Sequence, residues 1–129
     1  MSQSIALQPL APGQVIEADV RVPGSKSITN RALMIAALAE GETVLEGALF
    51  SDDSKWMAQC LRDLGFGVSE TPAERRITVQ GLGGRIPQDS AAATGQAKLF
   101  VGMAGTAARF LPCLVTLGQA GRFMFAGEP

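Results

Sequence analysis

Apolar and polar residues alternate in part from Val15 to Val22, following a Pro12-Gly13-Gln14 turn and a short apolar stretch, Ile5-Ala6-Leu7. That pattern predicts a strand, a turn and a second strand. The spacing changes at Ser27. Ile28, Ala32, Ile35, Ala36 and Ala39 recur in threes and fours, so a helix is expected over 27–39, with Ser27 or Thr29 near its cap and Gly41 beyond its end. Thr43-Val44-Leu45 reads as a strand. Ser51 then caps a second helix, with Asp52 and Asp53 in its first turn, Trp56, Cys60 and Leu64 four residues apart, Met57 and Leu61 beside them, and Gly65 at its end. Phe66 to Val68 and Ile77 to Val79 form an expected hairpin around Thr71-Pro72-Ala73-Glu74, and glycine and alanine make 81–93 a loop. A last helix is expected over 106–117, where Pro112 removes a backbone hydrogen bond and predicts a late start, a kink or a break. The strand-like Arg122-Phe123-Met124-Phe125 follows.

Two of these junctions share a design. In Val22-Pro23-Gly24-Ser25-Lys26-Ser27-Ile28-Thr29-Asn30-Arg31 a glycine/serine loop opens an apolar helix, with Lys26 in the loop and Arg31 one turn inside. Free N–H groups, the positive end of the helix dipole and two cations make such a start suited to phosphate or carboxylate. Gly24 would let backbone approach a ligand closely. In Gly102-Met103-Ala104-Gly105-Thr106-Ala107-Ala108-Arg109 a small-residue loop again enters a helix. Glycine precedes arginine by 7 residues in both (31 − 24 and 109 − 102), and the offset between them is 78. The shared order of elements suggests a duplicated supersecondary unit.

Composition narrows the ligand. The 129 residues are 47% apolar and 18% charged, as expected of one globular domain with a real core. A net charge of −1 gives no basic field for nucleic acid, so the local cations suit small anions. With no histidine, His-based triads and His-ligated metal sites are excluded within this chain. Cys60 and Cys113 lack metal-ligand spacing and read as buried reduced thiols, consistent with a cytoplasmic protein. The N-terminus shows no signal pattern, and no apolar run reaches membrane-spanning length. Asp52, Asp53 and Glu42 are better explained by helix starts than by acid/base chemistry. A nucleotide P-loop is a poor fit, because Ser25 separates Gly24 from Lys26.

The two glycine-to-arginine stretches resemble the N-terminal signatures of the 5-enolpyruvylshikimate-3-phosphate synthase (3-phosphoshikimate 1-carboxyvinyltransferase) family, and Glu40-Gly41-Glu42-Thr43 and Ser51-Asp52-Asp53 fit its order. The likeness runs from about Leu7 to Pro129. It implies an α/β (α+β) fold of βαβαββ units, with helices packed under sheets. Residues 1–21 would be a strand pair at the edge of a second lobe, and residues 22–129 part of the first lobe. It implies transfer of the enolpyruvyl group of phosphoenolpyruvate to the 5-hydroxyl of 3-phosphoshikimate, in aromatic amino acid biosynthesis, without metal or other cofactor. Lys26 would be catalytic, contacting both substrates. Ser27 and Arg31 would hold 3-phosphoshikimate, and Gly105 would border the phosphoenolpyruvate pocket, where glyphosate also binds. Gly24, Met103, Thr106 and Arg109 would support the pocket, although many relatives carry asparagine where Met103 stands. Relatives are several times longer, so an N-terminal fragment is expected: inactive alone, and monomeric when complete. Nucleic acid and membrane are not expected partners. Two alternatives are UDP-N-acetylglucosamine enolpyruvyl transferase, which normally shows Lys-Asn in place of Lys26-Ser27, and a non-enzymatic RNA-associated module.

Overall fold

A computed structural model describes residues 6, 9–87, 96–118 and 120–128. Its elements are helix α1 (Lys26–Leu38), strand β1 (Glu40–Glu46), helix α2 (Asp52–Asp63), strand β2 (Gly67–Thr71), a 3-10 turn (Pro72–Glu74), strand β3 (Arg76–Leu82), strand β4 (Gln96–Gly102), helix α3 (Gly105–Val115) and strand β5 (Arg122–Gly127). β1, β3 and β2 form an antiparallel sheet in that order, while β4 and β5 pair in parallel across α3. The mixed helix-and-strand class expected from the sequence is observed. Among the described residues no helix is long and apolar enough to cross a membrane.

Side-chain alternation explains β3, whose Ile77, Val79 and Gly81 point inward. α1 packs on β3 and β1, α2 lies against β2 and β4, and α3 touches both helices. Leu33, Met57, Leu61, Leu64, Ile77, Val79, Leu99 and Leu111 are buried in the shared core. Gly81 is required where α1 crosses β3, because a Cβ there would collide with the carbonyl oxygens of Ala36 and Ala39.

Several expectations change. Residues 14–25 form no strand: Val15 is 86% exposed and Val20 80%. Alternation alone does not hold a strand that has no partner. Ile5 and Leu7 lie outside the described residues, so the expected N-terminal strand pair is not formed in what is described. α1 buries Thr29, Asn30, Leu33, Met34, Ala36 and Ala37, while Ile28 and Ile35, expected inside, are exposed. Apolar residues lie nearly all round this helix, so periodicity could not choose the face that meets β3. α3 runs through Pro112 without a break and begins at Gly105, one residue before the expected start. The loop expected over 81–93 begins only after Leu82, and its residues 88–93 lie outside the described ones. Cys60 is buried as expected, but Cys113 is exposed.

Candidate functional site at three helix starts

The loop before α1 is seated on protein backbone. A Cβ on Gly24 would strike the Gly47 carbonyl oxygen, so this glycine packs against the β1–α2 connection. That is the close approach which the sequence reading had assigned to a ligand. Ser25, not Ser27 or Thr29, is the cap of α1: its Oγ accepts from the Ile28 N–H at 3.4 Å. Thr29 instead turns inward, where its Oγ1 accepts from the Leu49 N–H at 3.0 Å. From α2, Ser54 Oγ donates to the Leu49 carbonyl at 2.6 Å, so both backbone groups of Leu49 are gripped by helix side chains. Ser51 and Ser54 complete a capping box on α2, with Ser51 N–H donating to Ser54 Oγ at 2.8 Å.

Two side-chain contacts then join the three helix starts. Lys26, the first residue of α1, pairs with Asp53 in the first turn of α2, with Nζ 3.0 Å from Oδ2. Asn30, one turn further along α1, donates from Nδ2 to Thr106 Oγ1 in the first turn of α3 at 2.6 Å. The first two turns of α1 therefore touch the first turns of α2 and α3. Each brings unsatisfied N–H groups and a partial positive charge of about half an elementary charge. Lys26 adds a full cation there, and Arg31 is exposed further along α1. Helix starts in general favour anions, and Asp52 and Asp53 already supply them at α2.

The Lys26–Asp53 pair is open to exchange. Lys26 is 51% exposed and Asp53 20%, so water reaches the ammonium more freely than the carboxylate. Sequence reasoning assigned Asp53 to the helix dipole alone, and only the fold reveals its partner. Ser27 is half-buried and lies one helical turn before Arg31, on the same side of α1.

The second motif reaches the pole through α3. Gly102 has φ +54, and a Cβ there would collide with the Trp56 indole, so this position is fixed twice over. Trp56 stacks edge-on against Phe100, with ring centroids 4.7 Å apart, and Cys60 Sγ donates to the Phe100 carbonyl at 3.3 Å. Burial, with the nearby Asp63 charge as a lesser cause, pushes the Cys60 thiol up to about 12 from its ordinary 9.0, so it stays protonated. Gly105 is exposed, and a Cβ on it would meet nothing within 4 Å. Thr106 joins the site through Asn30. Met103 and Arg109 are exposed, and among the described residues their side chains form no hydrogen bond or ion pair.

Asn30 was missed as a site residue. It is fully buried, its Oδ1 has no hydrogen-bond partner, and either orientation of the amide leaves one polar atom unpaired. Such an atom costs about 1–3 kcal/mol. Its only sequence signal is a polar residue inside an apolar helix. A separate groove of about 330 Å³ lies along α2, lined by Asp52, Lys55, Trp56, Gln59, Arg62 and Glu70 and by none of the expected site residues.

Comparison with known proteins bears on the family of this chain. The sequence profile of the family described as EPSP synthase (3-phosphoshikimate 1-carboxyvinyltransferase) matches residues 10–129. The 3-phosphoshikimate 1-carboxyvinyltransferase of Trichormus variabilis is 51% identical over 114 residues, covering 88% of this chain and 25% of the relative. That of Shewanella denitrificans is 44% identical over 98% of this chain and 28% of its own length. The chloroplastic protein of the same name from Petunia hybrida is 42% identical over 97% of this chain and 24% of its own length. The EPSP synthase structure from Acinetobacter baumannii superposes with a TM-score of 0.67 at 31% identity, covering 84% of this chain and 23% of that one. This chain spans about a quarter of the length of the curated relatives it matches. Its two glycine-to-arginine motifs, the fold that brings their helix starts together and a profile match across 10–129 place it in one family: the chain belongs to the EPSP synthase family.

Proposed function

We propose that this chain supplies part of the first lobe of an enzyme that transfers the enolpyruvyl group of phosphoenolpyruvate to the 5-hydroxyl of 3-phosphoshikimate, releasing phosphate. The observation that carries this reading is the meeting of three helix starts beside Lys26 and Arg31, inside the segment matched by the family profile. In the proposed reaction the enol methylene carbon of phosphoenolpyruvate is protonated, and the 5-hydroxyl attacks the adjacent carbon and gives up its proton. The tetrahedral ketal so formed loses phosphate and one methyl proton, which leaves the enolpyruvyl ether.

Lys26 exchanges Asp53 for the substrate anions and sets its ammonium beside the developing charge, where it can also relay a proton. Ser27 and Arg31, one turn apart, take the phosphate or carboxylate of 3-phosphoshikimate; the guanidinium fork suits either. Gly105 borders the phosphoenolpyruvate pocket, the site glyphosate would occupy. The helix dipoles hold both anions in place, and closure of a second lobe, with residues 1–21 at its edge, would exclude water.

The test is a chimera in which this chain replaces the matching segment of the Trichormus variabilis enzyme. Phosphate release should require both substrates. Lys26→Ala should lower turnover by at least about a hundredfold, the scale of losing one charge-stabilising or proton-transferring group. Lys55→Ala should change it little, because Lys55 is exposed and, among the described residues, pairs only with Asp52 at 3.4 Å. Equal, mild effects at both positions would return Lys26 to an ordinary surface lysine.

A further inference from the structure

The buried amide of Asn30 is not explained by packing. An apolar side chain would fill the same space without leaving a polar atom unpaired. What the amide achieves is the 2.6 Å bond to Thr106, across 76 residues of sequence.

The three helix starts are not anchored alike. Ser25 caps α1, and Thr29 ties it to Leu49. The Ser51–Ser54 box caps α2, and Ser54 ties it to the same Leu49. α3 begins after Ala104, which offers no side-chain cap. Among the described residues, Asn30 makes the one side-chain hydrogen bond that reaches its first turn.

We propose that Asn30 is a positioning residue for the phosphoenolpyruvate half of the site. Through Thr106 it fixes the start of α3, and with it Gly105, against Lys26 and Arg31. This role rests on the function proposed above. It also makes an asymmetric demand. Breaking the bond loosens the start of α3, whose later turns stay packed in the core, while Ser25, Thr29 and the Lys26–Asp53 pair still hold the 3-phosphoshikimate side.

In the chimeric enzyme, Asn30→Ala and Thr106→Val should each raise the KM for phosphoenolpyruvate by about tenfold, the scale of one lost buried hydrogen bond. The KM for 3-phosphoshikimate should stay within about threefold. Thr106→Ser keeps the hydroxyl and should hold the phosphoenolpyruvate KM within about twofold. The double variant Asn30→Ala/Thr106→Val should again show about tenfold, since both changes remove the same bond. Thr106 is half-buried, so its variants test the bond even if Asn30→Ala fails to fold. Rises in both KM values without a split, a double variant near a hundredfold, or a Thr106→Val enzyme identical to the parent would each overturn the positioning role. A parent chimera that releases no phosphate would instead overturn the functional reading, and this role with it.

Discussion

At the scale of single residues, Gly105 is where a ligand effect can be separated from a folding effect. An added methyl meets nothing within 4 Å in this chain, and the residue already sits in an α-helix that tolerates alanine. Gly105→Ala should therefore leave the thermal midpoint of the chimera unchanged. If Gly105 borders the phosphoenolpyruvate pocket, that methyl presses on the ligand, and overpacking costs about 1–3 kcal/mol, or about tenfold to a hundredfold in affinity. Glyphosate, which would reach further towards this glycine, should lose more than phosphoenolpyruvate does. The parent, with glycine in place, should be glyphosate-sensitive. An unchanged inhibition constant would make Gly105 an ordinary helix-start glycine. The two cysteines give a second residue-scale test. Cys113 is exposed and should react with a thiol reagent at pH 8, whereas Cys60 should react only on unfolding. Because the Cys60 thiol is raised to about 12, the folded state keeps a proton that the unfolded chain releases above 9.0. Its contribution to stability is therefore full below pH 9 and is lost as the pH rises towards 12. Equal labelling of both thiols at pH 8 in the folded protein would contradict the burial of Cys60.

At the scale of elements, the junction from β4 into α3 depends on Gly102. Alanine there would take an unfavourable left-handed conformation, at about 1–3 kcal/mol, and also push on the Trp56 ring. Gly102→Ala should lower the thermal midpoint where Gly105→Ala does not, and equal midpoints would refute the Trp56 contact. The same junction shows what the sequence could and could not convey. α2 was legible because Ser51, two aspartates, a four-residue apolar spacing and Gly65 all agree. The hairpin was legible for similar reasons. β4 was readable but overlooked: Ala97, Leu99 and Val101 are buried, while Gln96, Lys98 and Phe100 alternate outward. The inward face of α1 was not readable, since it buries Thr29 and Asn30 and exposes Ile28 and Ile35. Lys26 and Arg31 stood out because helix-start chemistry is local. The Asn30–Thr106 and Lys26–Asp53 contacts did not, because each needs a folded neighbour from a distant part of the chain.

At the scale of the whole molecule, the distribution of apolar surface bears on what the chain can do by itself. Ile28 and Ile35 are 67% and 68% exposed on α1, and Val15, Val20 and Val22 are exposed in a segment that forms no strand among the described residues. A helix apolar on nearly every side normally lies inside a larger body. The match to only about a quarter of each relative's length gives such a body a place in the sequence of the complete family members. On the proposed function, the three helix starts would be one wall of a cleft. On that reading, Lys26, Ser27, Arg31 and Gly105 would hold one side of each substrate, but a transition state that changes charge at the reacting carbon and the departing phosphate must be enclosed to be stabilised strongly. The purified 129-residue polypeptide should accordingly show no phosphate release with both substrates present, and its exposed apolar surface should bind a hydrophobic dye. Mixing it with a polypeptide carrying the rest of the Trichormus variabilis enzyme should reduce dye binding and restore release. Lys26→Ala in the short chain should abolish that recovery. Turnover by the 129 residues alone would show that one wall suffices and would refute the division of labour between lobes. Recovery that survives Lys26→Ala would place the chemistry entirely on the other side.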